Sequence, residues 1–91
     1  MHNIFYTPQA QQDLVDIQHF IANDNPDISY KVIETIFFYA NTLSLFPYIG
    51  KICVSGQGWR EIVKPTFRYR IIYEVIWHDI RILSVFKYQN R

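Results

Sequence analysis

The sequence predicts a single α+β domain in which a helix hairpin packs on an antiparallel sheet. Two segments with apolar residues at helical spacing follow each other closely, and segments with period-2 alternation lie before and after them. A chain of 91 residues lies near the lower end of the range in which one core suffices, so we expect residues 1–91 to form one domain. The predicted element order is β-α-α-β-β-β.

The first two predicted elements are a short strand and a helix. Asn3 to Tyr6 alternates and is a strand candidate. Thr7 followed by Pro8 predicts a helix start, because threonine caps a first turn and proline at the first helical position lacks an N–H that would have no helical partner. The helix is expected to end around Ala22-Asn23. Its apolar stripe consists of Ala10, Leu14, Ile17 and Ile21.

The second helix begins with the same device. Asn25 is the predicted cap, Pro26 follows it, and the helix is expected to run to about Leu45, before Phe46-Pro47 ends it. Only a few residues separate the two helices, which predicts an antiparallel helix hairpin. The apolar stripe of this helix consists of Ile28, Val32, Ile36, Ala40 and Leu43.

The remaining chain predicts three consecutive antiparallel strands. They are Trp59 to Lys64, Arg68 to Trp77 and Ile80 to Lys87, with turns at Pro65-Thr66 and His78-Asp79. In the middle strand the odd positions from 67 to 77 are all aromatic or aliphatic, so we expect them to lie against the helices. Arg68 and Arg70 would then share the opposite face or its margin.

Composition indicates a packed globular domain and excludes several classes of site. Hydrophobic residues make up 49%, and the 18% of aromatic residues predicts either a ring-rich core or a permanent protein partner. Cys53 is the only cysteine, which excludes an internal disulfide and fits a reducing compartment. His2, His19 and His78 are isolated, no phosphate-binding loop is present, and we expect neither a metal nor another cofactor.

No signal peptide and no apolar stretch of membrane-spanning length is visible, so we expect a cytoplasmic protein that does not enter a membrane. The charges are distributed unevenly along the chain. One lysine and five acidic residues give residues 1–48 a net charge of −4, whereas eight cations and three acidic residues give residues 49–91 a net charge of +5. A basic second half on a nearly neutral chain predicts one positive face directed at an acidic partner or at phosphates.

The basic residues of the strand region have two interpretations. They could form a phosphate or carboxylate site, since the planar guanidinium group suits both anions. Its members would be Arg60, Arg68, Arg70, Lys87 and Arg91. Alternatively, Arg60, Lys64 and Arg68 could pair across strands with Glu61, Glu74 or Asp79 and only solvate the sheet. The residue pattern leaves both interpretations open.

Several short motifs, taken in order and spacing over nearly the whole chain, are similar to those of one known family. In the first half they are Tyr6-Thr7-Pro8 with Ala10, Asp13-Leu14 and Ile17, then Phe20-Ile21-Ala22, Asn25-Pro26, Leu45-Phe46-Pro47 and Gly50-Lys51. The most specific are Trp59-Arg60-Glu61-Ile62-Val63, Tyr69-Arg70-Ile71-Ile72-Tyr73-Glu74-Val75 and Ile82-Leu83-Ser84-Val85. On these motifs the sequence resembles the RelE/ParE superfamily of toxins from prokaryotic type II toxin–antitoxin systems, closest to the ParE (plasmid stabilisation) branch.

The resemblance implies a fold that agrees with the predicted element order, and it implies one of two activities. RelE-like members are ribosome-dependent endoribonucleases that cut mRNA. The characterised ParE-like members lack that activity and act on DNA gyrase. Both kinds are neutralised by an antitoxin protein whose extended or helical segment wraps the toxin.

Comparison with the nuclease branch separates these activities. Cleavage by a 2′-hydroxyl needs a base, an acid and a cation for the developing phosphorane charge. Arg70 matches an arginine of that branch, but the lysine pair of RelE-like enzymes falls at Glu61 and Val63. The C-terminal His or Tyr that related nucleases use falls in residues 87–90, which contain no His, so Tyr88 is the remaining candidate for the acid. The candidate for the base is Glu61, on the preceding strand. The sequence also departs from the ParE pattern at one position. Many members end the last strand with a His and have an Arg a few residues later, whereas here Lys87 is at the His position and Arg91 is at the Arg position.

The sequence therefore predicts a ParE-like toxin that binds gyrase and a cognate antitoxin, and that is not itself an enzyme. The expected target contacts are Arg60, Arg70, Lys87 and Arg91, followed by Arg68 and Tyr88. The alternative is an mRNA endoribonuclease that uses Glu61, Arg70 and Tyr88, and a third hypothesis is a non-toxic binding module. The expected assembly is a homodimer or a toxin–antitoxin hetero-oligomer.

Overall fold

The computed structural model describes residues 1–54, 57–64 and 68–87, and it confirms the predicted fold class: two helices pack on one sheet. The elements in chain order are β1 (Asn3–Tyr6), α1 (Pro8–Ala22), α2 (Pro26–Thr42), β2 (Lys51–Ile52), β3 (Arg60–Lys64), β4 (Tyr69–Ile76) and β5 (Asp79–Lys87). The predicted turn at Pro65-Thr66 lies outside the described residues.

The sheet has five strands in the order β1-β5-β4-β3-β2. Strands β3, β4 and β5 form the predicted antiparallel meander. Strand β1 pairs in parallel with β5, because the helix hairpin carries the chain across one face of the sheet before the meander begins, so the sheet is mixed. Strand β2, which the sequence did not predict, adds two residues to the outer edge of β3.

Both helices begin as their sequences predict. The Thr7 hydroxyl accepts a hydrogen bond from the Ala10 amide at 3.1 Å, and Asn25 Oδ1 accepts one from the Ile28 amide at 3.2 Å. The second helix ends at Thr42 and not near Leu45. Its last residues tighten into turns in which each amide reaches back three residues, as from Leu43 to the Ala40 carbonyl at 3.1 Å.

The core lies between the helix hairpin and one face of the sheet. Its buried hydrophobic residues are Ala10, Leu14, Val32, Ile36, Ala40, Leu43, Tyr69, Ile71, Tyr73, Ile80, Ile82 and Val85. Both predicted helix stripes contribute to it, although Ile28 is exposed. The alternation prediction for β4 is right at its odd positions from Tyr69 to Tyr73. It is wrong at Trp77, which is 87% exposed because the chain leaves the strand there through a left-handed turn residue (φ 56°). Phe67 lies outside the described residues.

Helix α1 is held to β5 by polar contacts at its first turns. The Thr7 hydroxyl donates to the Leu83 carbonyl at 3.1 Å, and Asp13 Oδ2 accepts from the Val85 amide at 2.9 Å. Leu83 lies at a register irregularity, where Ile72 pairs with Ser84 but the next residue of β4 pairs with Ile82. Strand β1 pairs with β5 only as far as Ile82, so the Val85 amide lies beyond it and takes Asp13 as its acceptor.

Candidate functional site

A buried tyrosine holds the loop between α2 and β2 against the sheet. Tyr73 is fully buried, and its hydroxyl donates to the Pro47 carbonyl and accepts from the Gly50 amide, each at 2.9 Å. Burial raises the pKa of Tyr73, which keeps the phenol in the protonated form that can donate. Gly50 is required here, because a Cβ at this position would lie 2.6 Å from the Tyr73 hydroxyl and 2.7 Å from the Glu61 carbonyl oxygen.

Arg60 binds the same loop from β3. It lies opposite Tyr73 in the strand register, on the side of the sheet that faces the helices. Its guanidinium donates to the Gly50 carbonyl at 2.8 Å and to the Tyr48 carbonyl at 3.3 Å, and it lies 5.1 Å from the centre of the Tyr48 ring. The contacts of Arg60 in the described structure are therefore with backbone carbonyls and an aromatic ring, and not with the acidic residues that the ion-pairing interpretation expected.

Arg70 lies on the opposite face of the sheet, which we call the outer face, and is paired with Glu61 of β3. Arg70 Nε is 3.3 Å from Glu61 Oε2, and Lys51 Nζ of β2 is 3.6 Å from Glu61 Oε1. The Glu61 side chain is only 10% exposed, whereas 34% of the Arg70 side chain remains exposed. The Arg70 guanidinium also lies 5.9 Å from the centre of the Phe86 ring. Glu61 and Arg70, two of the three residues expected in a nuclease site, are thus in contact.

The other predicted cations are distributed over different surfaces. Arg68 precedes β4 in a left-handed turn (φ 59°) and is exposed, so it does not take part in the alternation that was predicted to place it beside Arg70. Lys87 pairs with Tyr69 and lines a shallow cavity of about 280 Å³ with Asp13 and Asp16 of α1. Arg60 and Lys87 therefore lie on the helix side and Arg70 on the outer face. Tyr88, Arg91 and the Lys64 side chain lie outside what the structure describes.

In the part of the chain that the structure describes, ion pairing on the sheet uses Lys51, Arg70 and Arg81, and the pairing predicted for Lys64 lies outside that part. Besides the pairs of Glu61, Arg81 donates to Glu74 at 2.9 Å on the outer face. Asp79 Oδ1 accepts a hydrogen bond from the side-chain Nδ2 of Asn3 at 3.3 Å. Lys51 and Arg81 were not among the residues predicted to pair, because their positions opposite Glu61 and Glu74 depend on strand β2 and on the β4–β5 register.

An apolar groove, which sequence reasoning missed, lies between α2 and β3. It has a volume of about 700 Å³. Its lining includes Phe38, Tyr39, Ile49, Ile62, Val63 and Lys51. Phe38 and Ile49 are 66% and 63% exposed, so large apolar side chains face solvent there. The high aromatic content of the sequence was the one signal that could have indicated this groove. In the structure some aromatic side chains lie in the core and others lie on the exposed surface.

The remaining titratable and ligating groups add no second chemical centre within the described residues. Burial and the neighbouring Glu61 carboxylate, 3.9 Å from the sulfur, raise the pKa of Cys53, which keeps the thiol protonated and weakly nucleophilic. No group of three or more His, Cys, Asp or Glu in residues 1–54, 57–64 and 68–87 is arranged to hold a metal ion. In the same ranges, neither helix has the length and apolar character needed to cross a membrane.

Comparison with known proteins assigns the chain to a family. The family model described as the ParE toxin of type II toxin–antitoxin system, parDE, matches residues 4–90. A search of curated proteins gives no significant match. The fold is similar to a solved structure of the chromosomal ParDE system from P. aeruginosa, with 19% identity, 98% of each chain covered and a TM-score of 0.82. It is also similar to a chain of the E. coli RelBE toxin–antitoxin complex, with 16% identity, 99% of this chain and 100% of that chain covered and a TM-score of 0.74. Because the family model spans nearly the whole sequence, this chain belongs to the ParE toxin family of type II toxin–antitoxin systems.

Proposed function

We propose that this toxin acts by binding DNA gyrase in the cytoplasm, and not by cleaving RNA. The observation that carries the proposal is the position of Glu61. Its carboxylate lies 3.3 Å from the Arg70 guanidinium, on the strand where a RelE-like nuclease has its lysine pair. A scissile phosphate that approached Arg70 would meet this negative charge at close range, and the repulsion opposes the charge stabilisation that cleavage needs.

The proposed gyrase contacts are Arg60, Arg68, Arg70, Lys87, Tyr88 and Arg91. Among those whose side chains the structure describes, Arg68 and Lys87 are exposed and Arg70 is partly exposed. Arg60 is engaged with the loop carbonyls, so we infer that it acts on a target through the position of Tyr48 and Gly50. The cations lie on more than one face, which fits a protein target with an extended contact surface better than a single phosphate site.

A cognate antitoxin is the second proposed partner, in a toxin–antitoxin hetero-oligomer. The groove between α2 and β3 supports this, because exposed aromatic and aliphatic side chains line it and Lys51 adds a positive charge at its margin. β2 pairs only with Arg60 and Glu61, so the outer edge of β3 from Ile62 onward has no strand neighbour in the described part of the chain. An antitoxin segment with apolar side chains could pack in the groove and extend the sheet along this edge.

Two parallel assays test the target. Purified toxin is added to a bacterial gyrase supercoiling reaction and, separately, to a translation reaction whose mRNA is mapped by primer extension. The proposal predicts inhibited supercoiling with accumulation of cleaved DNA and intact mRNA. Ribosome-dependent mRNA cuts that Arg70→Ala abolishes would select the nuclease alternative instead. Induced expression of folded protein without growth arrest would select the non-toxic binding module.

A further inference from the structure

The outer face of the sheet carries a groove of about 490 Å³ around Arg70. Its walls are mainly apolar or aromatic and include Trp59, Ile72, Leu83 and Phe86. Among the described residues that line it, Arg70 is the one cation and Glu61 the one acid. The groove is separate from the one between α2 and β3, although Arg70 and Glu61 border both.

Glu61 holds a negative charge beside Arg70, on the side from which an external anion would approach. Its carboxylate lies between Arg70 Nε at 3.3 Å and Lys51 Nζ at 3.6 Å, and its side chain is 10% exposed. An incoming carboxylate that binds Arg70 therefore meets the like charge of Glu61 at close range, and this repulsion is relieved only when Glu61 moves away. Lys51 is 75% exposed, and it could keep Glu61 paired after the carboxylate leaves Arg70.

We propose that Glu61 is a built-in counter-ion, and that Arg70 binds a partner's carboxylate only when that carboxylate displaces Glu61. The partner is a polypeptide segment that carries one acidic side chain between apolar ones. The inference rests on the proposed function in one respect, because Arg70 is one of its target contacts. Displacement makes binding selective. A small anion only replaces one carboxylate at Arg70 by another, so it gains little binding free energy. A segment that also buries apolar side chains against the walls of the groove gains the free energy of that burial in addition.

The lining of the groove favours a polypeptide over a nucleic acid. Single-stranded nucleic acid binds along a groove with cations that follow its phosphates, in addition to aromatic stacking platforms. The described lining supplies a single cation, and its aliphatic residues Val54, Ile72 and Leu83 offer contacts that suit apolar side chains. One carboxylate between apolar side chains matches this arrangement in charge and in polarity.

The test uses the full chain and an acetylated, amidated pentapeptide with one aspartate between leucines. The asparagine counterpart of this peptide and a thymidine oligonucleotide serve as comparison probes. Binding is followed by NMR, through the backbone amide resonances of Ile72 and Leu83, which line the groove and are present in every variant. Glu61→Gln removes the internal competitor and adds one unit of positive charge. Glu74→Gln is the matched control, since it makes the same change on the same face at the Arg81 ion pair, away from the groove. Urea unfolding verifies that each variant is folded.

We expect Glu61→Gln to bind the aspartate peptide at least about tenfold more tightly than the unmodified chain, because a close like charge has been removed. The gain should be absent for the asparagine peptide and for Glu74→Gln, and it should disappear when Arg70→Gln is added to Glu61→Gln. An unchanged affinity, or an equal gain in Glu74→Gln, would overturn the role of Glu61. A gain for the oligonucleotide alone would overturn the polypeptide partner. None of these measurements uses gyrase. If gyrase proved not to be the target, the peptide experiment would still decide the role of Glu61.

Discussion

Replacing Tyr73 by phenylalanine removes one oxygen atom from the centre of the fold and with it two hydrogen bonds. The hydroxyl joins the Gly50 amide to the Pro47 carbonyl, at 2.9 Å on each side, and Tyr73 has no exposed surface. Leaving a buried donor or acceptor without a partner costs about 1–3 kcal/mol for each group, although water can reach the loop side and reduce this. The free energy of unfolding should therefore fall by about 2–4 kcal/mol, a large part of the roughly 5–15 kcal/mol that a domain has.

Urea unfolding followed by circular dichroism measures this loss, and Tyr69→Phe is the matched control. Tyr69 is a buried tyrosine on the same face of β4, and its hydroxyl makes no hydrogen bond to another residue that the structure describes. We expect the control to change the free energy of unfolding by less than about 1 kcal/mol, within the usual range for a mild substitution. If Tyr73→Phe and Tyr69→Phe were equally stable, the two bonds would not hold the loop and the reasoning would be wrong.

Three further changes probe other parts of the fold. Gly50→Ala should lower the free energy of unfolding by about 1–3 kcal/mol in urea, because the added methyl group overlaps the Tyr73 hydroxyl. Asp13→Ala leaves a β5 amide without its acceptor and should cost about 1–3 kcal/mol by the same measurement, whereas Asp16→Ala, which loses only an exposed bond to a glutamine, should cost less than about 0.5 kcal/mol. Burial raises the pKa of Tyr6 to about 12 from 10.0, so the unfolded chain loses this proton first and stability should fall as pH rises from 10 towards 12. Tyr6→Phe should make urea midpoints decline less steeply over that interval, and an unchanged slope would contradict the shift.

The helices could be predicted because their signals are local. Thr7-Pro8 and Asn25-Pro26 act on the turns that follow them, and the caps form as predicted. The end of β4 shows the limit of such reasoning, since Trp77 continues the apolar alternation but lies in a turn. Strand β2 has only two residues, too few for any periodicity, and it exists because β3 supplies an edge to pair with.

The site was less predictable because its contacts join distant parts of the chain. Alternation was enough to place Arg70 on the outer face. The partners of Arg60 are carbonyl groups of a loop, which every residue possesses and no side-chain pattern reveals. The pairing of Glu61 with both Arg70 and Lys51 requires the registers of β3 with β4 and with β2, and these registers depend on the whole sheet.

The parallel pair between β1 and β5 has a consequence for the order in which the protein can assemble. Residues 3–6 are synthesised early, yet their partners are residues 79–82, so the pairing closes a loop of most of the chain. During synthesis, β1 and the helix hairpin emerge while β5, against which Thr7 and Asp13 make their bonds, is still unmade. Contacts of such sequence separation form late and slow folding. A nascent chain therefore cannot complete the native sheet until β5 has left the ribosome. A chain that is terminated before β5 cannot complete it at all.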